Sequence, residues 1–157
     1  MTRSIFFSNV LFILAGSLLF MSACSDDHND DHFSPIGVVL KVDGELLAAQ
    51  EENTVTYATG DAITITAGTT TETITLEFLD DDGSHFTPGS NGNSLQLSIG
   101  NPDILGFTHP VNDDEWSFRL NGEQPGSTTL QFELWHDGHT DFTSREFQVT
   151  IEEPQSD

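Results

Sequence analysis

Between Ile36 and Glu153 the chain alternates apolar and polar residues in short runs. Val38, Leu40 and Val42 alternate with Val39 and Lys41. The same pattern returns in Ile63-Thr64-Ile65, Ile74-Thr75-Leu76-Glu77-Phe78 and Leu95-Gln96-Leu97-Ser98-Ile99. It recurs in Trp116-Ser117-Phe118-Arg119-Leu120, Leu130-Gln131-Phe132-Glu133-Leu134 and Phe147-Gln148-Val149-Thr150-Ile151. Successive side chains of a strand point to opposite faces, so each run predicts a strand with one face to bury. Thr54-Val55-Thr56-Tyr57 predicts another short strand. Turn-forming clusters separate the runs: Asp80-Asp81-Asp82-Gly83, Pro88-Gly89-Ser90-Asn91-Gly92, Asn121-Gly122 and Pro125-Gly126. Asp43-Gly44, set between apolar runs, predicts a tight hairpin. Helical periodicity is absent after residue 24.

Strands with one apolar face need a second sheet to cover them, so the pattern predicts an all-β sandwich. The expected architecture is a single sandwich of about seven to nine strands over residues 36–153, with a short tail at 154–157. The stretch from about Ile63 to Ile151 resembles the bacterial immunoglobulin-like (Big-type) domains of adhesins and surface proteins. The residues that carry the resemblance are Ile63-Thr64-Ile65, Leu76-Glu77-Phe78-Leu79 before an Asp-Gly turn, Asn121-Gly122, and Pro125-Gly126-Ser127-Thr128-Thr129-Leu130. It implies an immunoglobulin-like sandwich and says little about activity. Leu76, Phe78, Leu97, Phe118, Phe132 and Val149 are the expected core, joined by Trp116. Trp135 falls on the opposite face, beside Glu133 and Gln131. It is either covered by the neighbouring loop, with Phe142 over it, or exposed as a stacking platform for a sugar.

The N-terminus follows a different pattern. Met1-Thr2-Arg3-Ser4 carries one positive charge, and a mostly apolar run extends from Ile5 to Phe20. Met21-Ser22-Ala23-Cys24 follows, and the chain then turns acidic. A basic start, an apolar middle and a small-residue exit are the parts of a secretory signal. The four residues ending in Cys24 resemble the lipobox of bacterial lipoproteins, although Met21 stands where leucine is usual. The resemblance implies a signal peptide over residues 1–23, cleavage before Cys24 and lipidation of that residue. An uncleaved helical anchor and a cleaved secreted form are the alternatives; each takes the rest of the chain out of the cytoplasm. Cys24 is the sole cysteine, so no intrachain disulfide can form. Residues 24–35 are expected to be an acidic flexible tether, since Ser25–His32 is free of apolar residues and self-repelling. Ser25 after the lipidated cysteine resembles the sorting pattern of outer-membrane lipoproteins, and the acidic run resembles a surface-export signal. The expected location is the bacterial outer membrane or cell surface.

Residues 1–23 hold one base, Arg3, and no acid. The remainder carries 26 acidic against three basic side chains (Lys41, Arg119 and Arg145), a net charge of −23. That balance excludes nucleic acid, whose affinity comes from Lys and Arg neutralising phosphates. It also disfavours docking of the protein surface on anionic lipid, and it attracts cations.

His136-Asp137-Gly138-His139-Thr140-Asp141 is the cluster most suggestive of chemistry. Two geometries are open. Pairing Leu134 with Phe147, Phe132 with Val149 and Leu130 with Ile151 leaves residues 136–145 as a loop. A tight hairpin at Asp137-Gly138 instead puts His136 directly opposite His139. Either brings two imidazoles close, with Asp141 as a further ligand or as a group orienting a histidine. Imidazole with carboxylate suits zinc, copper or nickel rather than calcium or magnesium. In an immunoglobulin-like sandwich, alternate loops share one end. Gly68–Thr71, Gly100–Asp114 and His136–Arg145 are expected there, which would add His109. The start of the domain is expected at the same end, within reach of His28 and His32 on the tether. His85 and the Asp80–Gly83 turn are expected at the opposite end. The turn lacks the ligand spacing of a calcium loop. No nucleophile motif or phosphate-binding loop is present, so no enzyme is expected.

The expected function is a lipid-anchored envelope binding protein that captures a transition metal, zinc or copper, through loop histidines. The candidate ligands are His136, His139, Asp141, His109, His28 and His32. Partners would be the membrane, through the lipid, and an envelope protein, metal transporter or receptor. The alternative is a structural or adhesive surface module without a small ligand.

Overall fold

The computed structural model describes residues 34–155, Ser90 excepted. The alternating runs form strands: β1 (Gly37–Val42), β2 (Glu45–Glu51), β3 (Thr54–Tyr57), β4 (Ile63–Thr66), β5 (Ile74–Leu79) and β6 (His85–Phe86). They continue with β7 (Asn93–Ile99), β8 (Leu105–Thr108), β9 (Ser117–Gly122), β10 (Gly126–His136), β11 (His139–Thr143) and β12 (Phe147–Glu152). The described residues contain no helix. Over the described residues the fold is thus all-β, with twelve strands rather than the expected seven to nine. Two-residue β6, polar β11 and irregular β8 are the additions.

One sheet runs β3-β2-β1-β5-β9-β8, with β6 also paired to β5. The other runs β11-β10-β12-β4, with β7 on the opposite edge of β10. The order β1-β5-β9-β8 facing β7-β10-β12 is the four-plus-three arrangement of an immunoglobulin-like sandwich. β4 joins the second sheet parallel to β12. β2 and β3 extend the first sheet beyond β1. The β1–β2 hairpin turns at Asp43-Gly44, both residues at positive φ (51° and 82°), as a tight two-residue turn requires.

Leu76, Phe78, Phe118, Phe132 and Val149 are fully buried between the sheets, with Trp116 at the margin. Leu97 is only partly buried. It lies on β7, which pairs with β10 alone among the described strands, so one of its flanks is uncovered. Gln50 ties the added hairpin to the second sheet: its Oε1 accepts from the Arg145 amide at 2.6 Å, and its Nε2 donates to the Glu52 carbonyl at 2.7 Å.

Candidate metal centre

β10 is eleven residues long and shares one flank between two partners. Its first half pairs with β12, Leu130 opposite Phe147, and its second half pairs with β11. The tight hairpin is therefore the observed geometry. The β10–β12 register differs from the looped alternative by four residues. Asp137 and Gly138 form the turn at φ 47° and 90°, and His136 stands opposite His139. Leu130, Phe132 and Leu134 point into the core, so His136 continues that inward row at the open end of the sandwich.

Asp141 arrives by a different device. Leu134 pairs with Phe142 and Trp135 with Thr140, leaving Asp141 as the extra residue of a β-bulge. Such a bulge re-aims side chains. Asp141 and Phe142 both turn inward. The Asp141 side chain is only 4% exposed, and Phe142 packs edge-on against Phe78 at 6.1 Å between ring centroids. Phe78 also meets Trp116 edge-on at 5.5 Å, so a rigid aromatic cluster adjoins the site.

One ligand atom from each of His136, His139 and Asp141 lies within 4.8 Å of the others, and the group could hold a metal ion. His139 Nε2 stands 3.0 Å from Asp141 Oδ1, and His136 Nδ1 stands 3.6 Å from Oδ2. Donors about 2.0–2.1 Å from a tetrahedral ion are separated by roughly 3.3 Å, which those two distances bracket. The His136 side chain is 12% exposed and that of His139 49%, so the group is sheltered on one side and open to solvent on the other. A buried carboxylate needs partners of opposite charge or hydrogen-bond donors. The imidazoles of His139 and His136 stand beside the Asp141 carboxylate, and a cation held among the three would be a partner of opposite charge. The exposed Asp137 carboxylate adds charge 3.4 Å from His136 Nε2.

Two loops close over the same end. The Asp137 amide donates to the Gly92 carbonyl at 3.0 Å. Trp116 Nε1 donates to Pro88, and the Leu95 amide donates to Glu115 Oε1 at 3.2 Å. His109 belongs to the second of these loops but is not in the ligand group. Its Nε2 donates instead to the Glu115 carbonyl at 2.9 Å. That bond holds the loop, and the structure does not bring His109 together with the other three. Cys24, His28 and His32 lie outside the described residues.

Other expectations about this end change as well. Gly68–Thr71 lies at the far end, where the Gly68 amide bonds the Gly122 carbonyl. The Gly100–Asp114 stretch is split by β8, and only its second part reaches the site. Because β1 itself is the first strand of the sandwich and β2 to β4 are added to it, the loops that share the His136 end are the later ones. The Asp80–Gly83 turn leads into the loop ending at Gly92, so it belongs to the near end. Its carboxylates cap their own backbone: Asp80 Oδ1 accepts from the Asp81 amide and Asp82 Oδ1 from the Ser84 amide. Bonds from Ser84 hold the exposed Asp82 carboxyl below its ordinary value. His85 pairs with Glu77 at 2.9 Å rather than joining the site. Trp135 is half-buried on the outer face, its Nε1 donating to Glu133, and inward-turned Phe142 does not cover it.

Gly92 and Asn93 are site residues that sequence reasoning missed. Asn93 is the cross-strand partner of His136 on β7. A side chain at Gly92 would run into the Asp137 carboxylate and touch His136. The turn cluster ending at Gly92 marked the place, but only the β7–β10 register brings it to the histidines.

No family model and no curated protein matches the chain. Among solved structures the chain is similar to domains 4 and 5 of the S-layer protein SbsC, with 13% identity and a TM-score of 0.41. That likeness covers 66% of this chain and 61% of the other. The strand order itself defines the immunoglobulin-like sandwich. Among the described residues, no helix is long and apolar enough to cross a membrane.

Proposed function

We propose that this protein is a lipid-anchored envelope protein that captures a transition metal, zinc or copper(II), at His136, His139 and Asp141. The observation that carries the reading is the convergence of their ligand atoms within 4.8 Å, two imidazoles and one nearly buried carboxylate. Three protein donors with a solvent-facing side leave a position for water or for a ligand that collects the metal. Mixed imidazole and carboxylate donors suit zinc and copper(II) better than calcium or magnesium. The net charge of −23 beyond residue 23 raises the local cation concentration. Anchorage is proposed through a lipid on Cys24, with residues 25–35 as the spacer. The chain would hold the metal for an envelope partner, a transporter or receptor, and no catalytic role is assigned.

Calorimetric titration of the full chain with zinc and copper(II) tests the reading. His136→Ala combined with His139→Ala is expected to weaken binding by at least roughly 10–100-fold. Replacing His28 and His32 by alanine is expected to leave most of the affinity. The reverse pattern would make the tether the binding element. Binding of neither metal below about a millimolar dissociation constant would leave a surface module without a small ligand.

A further inference from the structure

Asn93 stands opposite His136 in the β7–β10 ladder. Its neighbours along that face, Leu95 and Leu97, pair with the inward Leu134 and Phe132. Asn93 therefore shares the inward face with His136, and directly opposed residues have Cβ atoms about 5 Å apart. Its amide nitrogen is committed elsewhere, donating to the Gly89 carbonyl at 2.9 Å and to that of Asn91 at 3.4 Å. Those bonds fix which end of the amide is oxygen. Asn93 Oδ1 is shielded from solvent and accepts no hydrogen bond from any described residue. A buried acceptor without a donor is destabilising, and a bound cation satisfies it.

We propose that Asn93 Oδ1 is a fourth donor of the metal centre, giving a set of two imidazole nitrogens and two oxygens. This inference rests on the metal reading of His136, His139 and Asp141, and it narrows the metal. An amide oxygen and a carboxylate are hard donors, and the set contains no thiolate or thioether. The site therefore selects divalent zinc, cobalt or copper(II) over cuprous copper.

The test uses the full chain and two probes, zinc affinity by competition with a chromogenic chelator and the visible absorption of bound cobalt(II). Asn93→Ala is expected to weaken zinc binding about tenfold or more and to change the cobalt spectrum as water replaces the amide oxygen. Asn93→Asp keeps an oxygen at that position but loses the nitrogen that holds Gly89 and Asn91. As a ligand change it is expected to restore or tighten binding. If Asn93 only anchors the loop, the aspartate variant will bind as poorly as the alanine variant, and the proposal fails. It also fails if a folded Asn93→Ala, checked by circular dichroism, keeps wild-type affinity and spectrum; the three-residue site then stands without it. Should the alanine variant not fold, the aspartate variant decides alone, with weakened zinc binding counting against the proposal. Failure of the wild type to bind either ion removes the metal reading and this inference together.

Discussion

A methyl group at position 92 would stand 2.5 Å from Asp137 Oδ1 and 3.4 Å from His136 Cδ2, on a backbone at φ +77°. The left-handed conformation strains any residue with a Cβ, and the displaced Asp137 carboxylate would press on the histidine beside it. Gly92→Ala is expected to cost about 1 kcal/mol or more in urea unfolding and to lower zinc affinity in the same protein. Loss of stability with unchanged affinity would show that the histidine position does not depend on this contact. Asp141 and Asn93 illustrate what sequence could and could not disclose at this scale. The paired histidines around Asp137-Gly138 are legible, because an Asp-Gly turn between strands specifies who faces whom. The inward turn of Asp141 depends on a bulge, and one extra residue leaves no mark on an alternation already broken by polar residues. Asn93 belongs to the site through pairing with a strand more than thirty residues away, and nothing local to it carries that information.

Along the elements, the runs that became β5, β7, β9, β10 and β12 were legible because each buries one face and exposes the other. β8 was not: Leu105 is buried, but Phe107 two residues on is 41% exposed, so no face declares itself. The four-residue difference in the β10–β12 register has a related cause. Any even shift keeps the same side chains inward, so the apolar pattern fits both registers. The tight turn and β11 decide between them by occupying the second half of β10. Between β1 and β5, Lys41 Nζ bonds Glu77 Oε2 at 2.6 Å, with His85 on the same oxygen. Chiefly the Lys41 bond, and then His85, hold the Glu77 carboxyl below its ordinary value of 4.5 despite partial burial. A lowered carboxyl contributes stability above its unfolded value, and that contribution is lost as pH falls through the folded one. Lys41→Ala is therefore expected to lose stability near neutral pH, by no more than about 1 kcal/mol for so solvent-accessible a pair. The difference from wild type should shrink below pH 4.5 in urea titrations. A difference that stays constant into acid would assign the loss to the lysine stem's packing instead.

At the scale of the whole molecule, the site lies at the end of the sandwich where β1 begins, since Gly37 pairs with Leu79 at the close of β5. The described chain, from residue 34, therefore enters the sandwich at the end that carries His136. Cys24→Ala expressed in the native host is expected to lose lipid labelling and leave the membrane fraction; unchanged mass and fractionation would contradict the anchorage. The direct measurement is anomalous diffraction at the zinc absorption edge from crystals of the zinc-loaded protein. The expected result is an anomalous peak bounded by His136, His139 and Asp141. A density map with those three side chains ordered and no peak between them, whatever appears elsewhere on the surface, would contradict the metal centre.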